Sequence, residues 1–78
     1  MTMTDMNHKE KDRNVVLAFK EEGLKIHVSL KNKTFLNGKA LKIFEEFFVI
    51  DDIVNGPTNV FFDDLNKPVE EFKEVKNE

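Results

Sequence analysis

"LKIHVSLKNKTFLNG" (24–38) is the stretch whose reading decides the fold of this chain. Leu24, Ile26, Val28 and Leu30 fall on one side of an extended backbone, and Lys25, His27 and Ser29 on the other. Successive side chains of a strand point to opposite faces, so this unbroken alternation predicts a strand with one face in a core. "KNK" (31–33) predicts a turn, with Asn32 the residue most tolerant of a left-handed backbone. "TFLNGKALKIFEE" (34–46) then reads as a long second strand. Gly38 in its interior predicts a sharp bend or a close backbone approach, the device that curls a sheet into a small barrel.

Working outward, "FFVID" (47–51) predicts a third strand whose continuous apolar character implies cover on both faces. "IVNGPTN" (53–59) reads as a turn from its Asn-Gly-Pro content, "NVFF" (59–62) as a short fourth strand, and "DDLNK" (63–67) as a tight helical turn. After Pro68, "VEEF" (69–72) predicts a fifth strand. On the other side, Val15, Val16, Leu17 and Phe19 cluster on part of a helical circuit. Asp12 or Asn14 offers a cap and Gly23 a stop, which gives a helix over 13–22. A helix that short is marginal in water and must pack on the sheet. Residues 1–12 are polar and aperiodic and are expected to form a disordered tail, as are residues 74–78. The expected fold is mainly β: a five-stranded SH3-like barrel with a short N-terminal helix, in one domain over 13–73.

The totals agree with one small domain. At 78 residues a single core only just offsets chain entropy, so association into an oligomer is a natural way to bury more apolar surface. Eight phenylalanines without Trp or Tyr suit core or interface use. With no cysteine there are no disulfides or thiolate ligands, and a reducing compartment is the default. No apolar run approaches the ~18 residues of a membrane span, so the expectation is a soluble, cytoplasmic protein. The formal charge of −3 hides an asymmetry. Residues 1–44 hold nine Lys/Arg and five acids, a net of +4, whereas residues 45–78 hold three and ten, a net of −7. Lys25, Lys31, Lys33, Lys39 and Lys42 follow one another without an intervening acid.

Catalytic chemistry finds little purchase. Five acidic doublets stand out: Glu21-Glu22, Glu45-Glu46, Asp51-Asp52, Asp63-Asp64 and Glu70-Glu71. An acid/base dyad needs both groups on one side of a cleft, and neighbours on a strand point apart. Two histidines and no cysteine leave neither a zinc site nor an activated nucleophile. "NGKA" (37–40) lacks the spacing of a phosphate loop. The expectation is a protein that is not an enzyme and carries no cofactor or metal.

A helix "NVVLAFKEEG", the alternating strand and lysine-rich turn, Gly38, the Phe44-Glu45 step, the apolar "FFVI" and then "NVFFDDL" occur in an order that resembles the Sm-like family. Within it the chain is most similar to the bacterial Hfq branch, with a divergence that would suit a phage or mobile-element member. The resemblance covers roughly residues 13–73. It implies a homo-oligomeric ring of about five to seven subunits in which strand four of one copy pairs with strand five of the next, removing two exposed edges. Val60, Phe61, Phe62, Val69 and Phe72 would then fill the seam between subunits, or else close the core of a monomer.

The family's pockets do not carry over. The uridine pocket uses an aromatic-Lys-His step, where this chain has Phe62-Asp63-Asp64; aspartates lining a pore-side turn would repel phosphate. The adenine-binding face needs an aromatic and a glycine where Ser29 and Lys33 stand. What remains for RNA is the lysine-bearing surface, with Lys25, His27, Lys31 and Lys33 as candidate contacts, and no aromatic is expected on it for base stacking. Two functions follow. One is a ring-forming RNA-binding or RNA-chaperone-like module; the other is a barrel subunit for protein interaction without RNA.

Overall fold

The computed structural model describes residues 8–73. A helix α1 (His8–Glu21) precedes strands β1 (Ile26–Ser29), β2 (Phe35–Ile43), β3 (Phe47–Asp52) and β4 (Gly56–Phe61). A single 3-10 turn (Phe62–Asp64) then leads to β5 (Glu70–Glu71). The strands form one antiparallel sheet in the order β4-β3-β2-β1-β5. No helix among the described residues is long and apolar enough to cross a membrane.

The helix is already formed at His8, the first described residue, so residues 8–12 of the expected tail are helical, and Asp12 and Asn14 lie inside the helix rather than at its cap. Residues 1–7 and 74–78, expected to be tails, fall outside the described residues. The extra turn has no apolar period. It is held by a distant polar partner, since Lys9 Nζ donates to Glu46 Oε1 at 2.6 Å; just after it, Arg13 Nη1 donates to the Glu45 carbonyl at 3.1 Å. The far end behaves as Gly23 predicts. Gly23 adopts φ 70°, its N–H donates to the Lys20 carbonyl, and the Leu24 N–H reaches back to Phe19, the paired bonds of a left-handed helix cap. Val16 is fully buried and Phe19 packs beside it on the core.

Along β1, Ile26 and Val28 are fully buried, as the alternation requires. Ser29 is also buried, although it lies on the polar side of the alternation; the chain after the 3-10 turn runs alongside it, where Asn66 N–H donates to its carbonyl. In the 31–33 turn the left-handed residue is Lys33 (φ 71°), not Asn32. Asn32 instead accepts the Thr34 N–H on its side-chain oxygen. Gly38 marks a close approach: a Cβ there would overlap the Asp51 carbonyl oxygen and lie 2.7 Å from its carbon. Beyond it, β2 carries a bulge between Ala40 and Lys42 that shifts the alternation, so that Lys42 is exposed and Ile43 packs on the core.

Two strand expectations are corrected. β3 is fully covered on one face only, with Phe48 and Ile50 fully buried there and Phe47 and Val49 half-buried on the other. β4 starts at Gly56, inside the stretch expected to be a turn, and the turn itself is confined to residues 53–55. Pro57 is tolerated within β4 because an edge strand leaves one side of its backbone unpaired.

The sheet is open. Among the described residues no ladder joins β4 to β5, so the expected closed barrel is corrected to a curled five-stranded sheet. The curl follows from chain length. Phe61 ends β4, and Leu65 already bridges to Leu30 at the end of β1. Leu65 lies beyond β1, so in a flat sheet it would be four strand spacings, about 19 Å, from β4, whereas four residues largely in a 3-10 turn span roughly 8–10 Å. The sheet must bend to bring the two together. The concave side holds the core: Val16, Ile26, Val28, Leu36, Ala40, Phe48, Ile50, Val60, Phe62, Leu65 and Val69. Phe48 and Phe62 meet there with ring centroids 5.4 Å apart.

Candidate nucleic-acid interface

On the convex side of β1 and β2, the inward residues fix which neighbours face out. Leu36, Gly38 and Ala40 are buried, so Phe35, Asn37 and Lys39 point away from the core, next to His27 on β1. Phe35 is 59 % exposed. Its ring stacks on the His27 imidazole with centroids 5.6 Å apart and planes 16° from parallel. His27 Nδ1 lies 2.6 Å from Asn37 Oδ1, a pairing in which the imidazole N–H donates to the amide oxygen. The expectation that no aromatic would face out on this surface is therefore overturned. The missed signal lay in the phase of "TFLNGKA": with Leu36 and Gly38 inward, Phe35 can only be outward.

Beneath this row sits a buried carboxylate. Asp52 is 5 % exposed and accepts the backbone N–H of Asn37 on one oxygen, at 2.8 Å. Its other oxygen accepts the N–H groups of Val54 and Asn55 and the Asn55 side-chain amide. The N–H of Asn37, with those of Asn55 and Val54, holds the carboxyl below the usual aspartate range despite the cost of burial. Asp52 thus locks β2 to the 53–55 turn at the residue that positions His27. The Asp51-Asp52 doublet divides as its strand geometry demands, one residue exposed and one buried.

The lysines expected to contact RNA surround this row without forming a single cluster. Lys25 precedes His27 by two residues, Lys39 continues the outward row of β2, and Lys31 and Lys33 occupy the turn just before Phe35. None of the four is ion-paired with a described residue. Two acids temper the far side: Glu70 lies opposite His27 on β5, and Asp51 opposite Lys39 on β3. The end nearest Phe35 is bounded by Lys31 and Lys33. The lysine turn is anchored from below, since Lys31 N–H donates to the Asp64 carbonyl.

Asp63 and Asp64 are both exposed. Asp63 faces its own helix, 3.4 Å from Lys9 Nζ and 3.5 Å from His8 Nε2. The Glu46 hydrogen bond, with Asp63 adding to it, raises the Lys9 ammonium above its ordinary value. Asp63 is thus a clasp between helix and 3-10 turn, a role its position in the sequence does not advertise. Among the described residues no three His, Asp or Glu side chains converge as a metal site.

The residues expected at a subunit seam separate into two groups. Val60, Phe62 and Val69 are buried within the single chain and belong to its own core. Phe61 is 47 % exposed on the unpaired edge of β4, and Phe72 is half-buried beside β1, where its N–H donates to the Lys25 carbonyl. Phe61 ends an aromatic ladder: its ring centroid lies 5.0 Å from Phe47, which lies 4.8 Å from Phe44. The chain matches no protein-family model and no curated protein.

Proposed function

We propose that this chain is an Sm-like subunit that assembles with copies of itself through the free edges of β4 and β5 and binds RNA on the convex face of β1 and β2. The strand order carries this reading. With β5 added beyond β1, the two unpaired edges lie on opposite sides of the sheet, so β4 of one copy can meet β5 of the next in a head-to-tail arrangement. A rotation that closes gives a ring of about five to seven copies and leaves no edge exposed. The uncharged β4 sequence and the exposed Phe61 suit such a seam. Ring closure would also repeat the lysine surface, turning weak phosphate contacts into avidity.

The test is titration of single-stranded RNA at two salt concentrations. Binding through lysines should fall steeply as salt rises, because each phosphate contact releases a counterion. Salt-independent binding would contradict the lysine surface, and no binding at low salt would remove the RNA role. A second reading, protein interaction without RNA, draws on the exposed apolar side chains Leu17, Leu41 and Phe44 beside the helix. A monomer that ignores RNA would favour it.

A further inference from the structure

The stacked Phe35–His27 pair is the most specific feature of the convex face that lysine chemistry leaves unused. An exposed phenylalanine on a sheet surface forfeits hydrophobic stabilisation, and here one of its faces is covered by an imidazole and the rest is open to solvent. The imidazole is itself held by Asn37, and Asn37 by the buried Asp52 carboxylate. A side chain positioned through three residues to a buried anchor is preorganised, so a ligand meeting it loses little rotamer freedom in the protein. The flanking turn supplies Lys31 and Lys33, neither paired with a described residue.

The geometry points to a base-stacking platform: Phe35, backed by His27, takes one unpaired nucleobase of a single-stranded nucleic acid, while Lys31 and Lys33 take the adjoining phosphates. A flat apolar ring beside cations matches a polymer that alternates π-faces with anions. It does not suit a duplex, whose bases are already stacked on one another. The phenylalanine ring meets a base by its π-face and the lysines meet phosphate, so neither contact reads the base edges. The platform is therefore tolerant of sequence, with preference set by the stacking strength of the base. This inference rests on the RNA-binding reading of the same face, but not on ring assembly.

The experiment compares a fluorescently labelled single-stranded oligonucleotide with an abasic oligomer of equal length, for the parent, Phe35→Ala, Phe35→Trp and Lys31→Glu/Lys33→Glu. Phe35→Ala should weaken binding of the base-bearing strand about tenfold or more, the size of one lost stack, and leave the abasic strand unchanged. Phe35→Trp should restore or strengthen it. Lys31→Glu/Lys33→Glu should weaken both strands. Nuclear magnetic resonance supplies an independent readout: the His27 ring protons should shift when the base-bearing strand is added and stay in place with the abasic one. Equal losses on both strands for Phe35→Ala, no loss at all, or unmoved His27 protons would overturn the platform. A parent that binds neither strand at low salt would overturn both the platform and the RNA reading. A parent that is monomeric by light scattering yet needs Phe35 for binding keeps the platform and loses only the ring.

Discussion

The two ends of the convex sheet surface are built by different forces. Around β1 and β2, outward residues are fixed by a polar chain running from buried Asp52 through Asn37 to His27 and Phe35. Around β3 and β4, Phe44, Phe47 and Phe61 share ordinary backbone pairing, but their side chains meet only ring to ring, beside a strand edge with no partner among the described residues. Hydrogen bonds are directional, so the first end holds one geometry and suits recognition of a ligand. Apolar contacts are non-directional and gain by being covered, so the second suits association. The difference separates a candidate binding face from a candidate assembly edge on one small sheet.

The largest effect should come where both ends depend on the same backbone. Gly38→Val puts a branched side chain into the Asp51 carbonyl, and backbone cannot step aside as a flexible side chain would. Overpacking of this kind should cost about 3 kcal/mol or more, a large part of the stability of a domain this size. Urea unfolding checks it; a midpoint near the parent's would mean that β2 and β3 separate easily at Gly38.

Asp52→Ala attacks the polar end alone. It strands the N–H of Asn37 and frees those of Val54 and Asn55, which sit in an exposed turn and can rehydrate, so the total cost should be about 1–3 kcal/mol. The linked pH effect has a definite sign. The folded carboxyl titrates below its unfolded value, so its contribution is complete above the ordinary aspartate range and is lost as pH falls through and below it. Unfolding measured down this range should show a steeper loss for the parent than for Asp52→Asn. Parallel curves would remove the carboxylate as the anchor.

Phe61→Ser sharpens the other side of the comparison. Phe61 is half exposed and its ring meets that of the half-buried Phe47, so monomer stability should change by about 1 kcal/mol, whereas self-association should weaken clearly. Val60→Pro cannot make this distinction, because Val60 is paired with Phe48 and buried in the core. The smallest effect belongs to Lys33→Gly. Relief of the left-handed backbone opposes the extra chain entropy of glycine, leaving a change of about 0–1 kcal/mol toward stability in a thermal melt.

How far the sequence revealed this arrangement depends on the range of the interaction. The alternation at 24–30 correctly buried Ile26 and Val28, and Gly38 correctly announced a close approach, because both are local backbone consequences. The helical turn after β4 and the short strand after Pro68 were legible for the same reason. Helix residues 8–12 were not, since their stabilising partners lie in the β2–β3 turn and beyond it. Ser29 lies on the polar side of a perfect alternation, yet it is buried where the distant segment at Leu65 and Asn66 pairs alongside it. Phe35 was overlooked because its meaning comes from a diagonal neighbour on another strand. Val60, Phe62 and Val69 look equally fit for a core or an interface until the chain folds back over the sheet.

Light scattering of the purified protein tests the proposed assembly most directly. Self-pairing of β4 and β5 predicts one species with a mass of several times 9.1 kDa, independent of concentration once the ring has closed. A mass of 9.1 kDa at every concentration would contradict it.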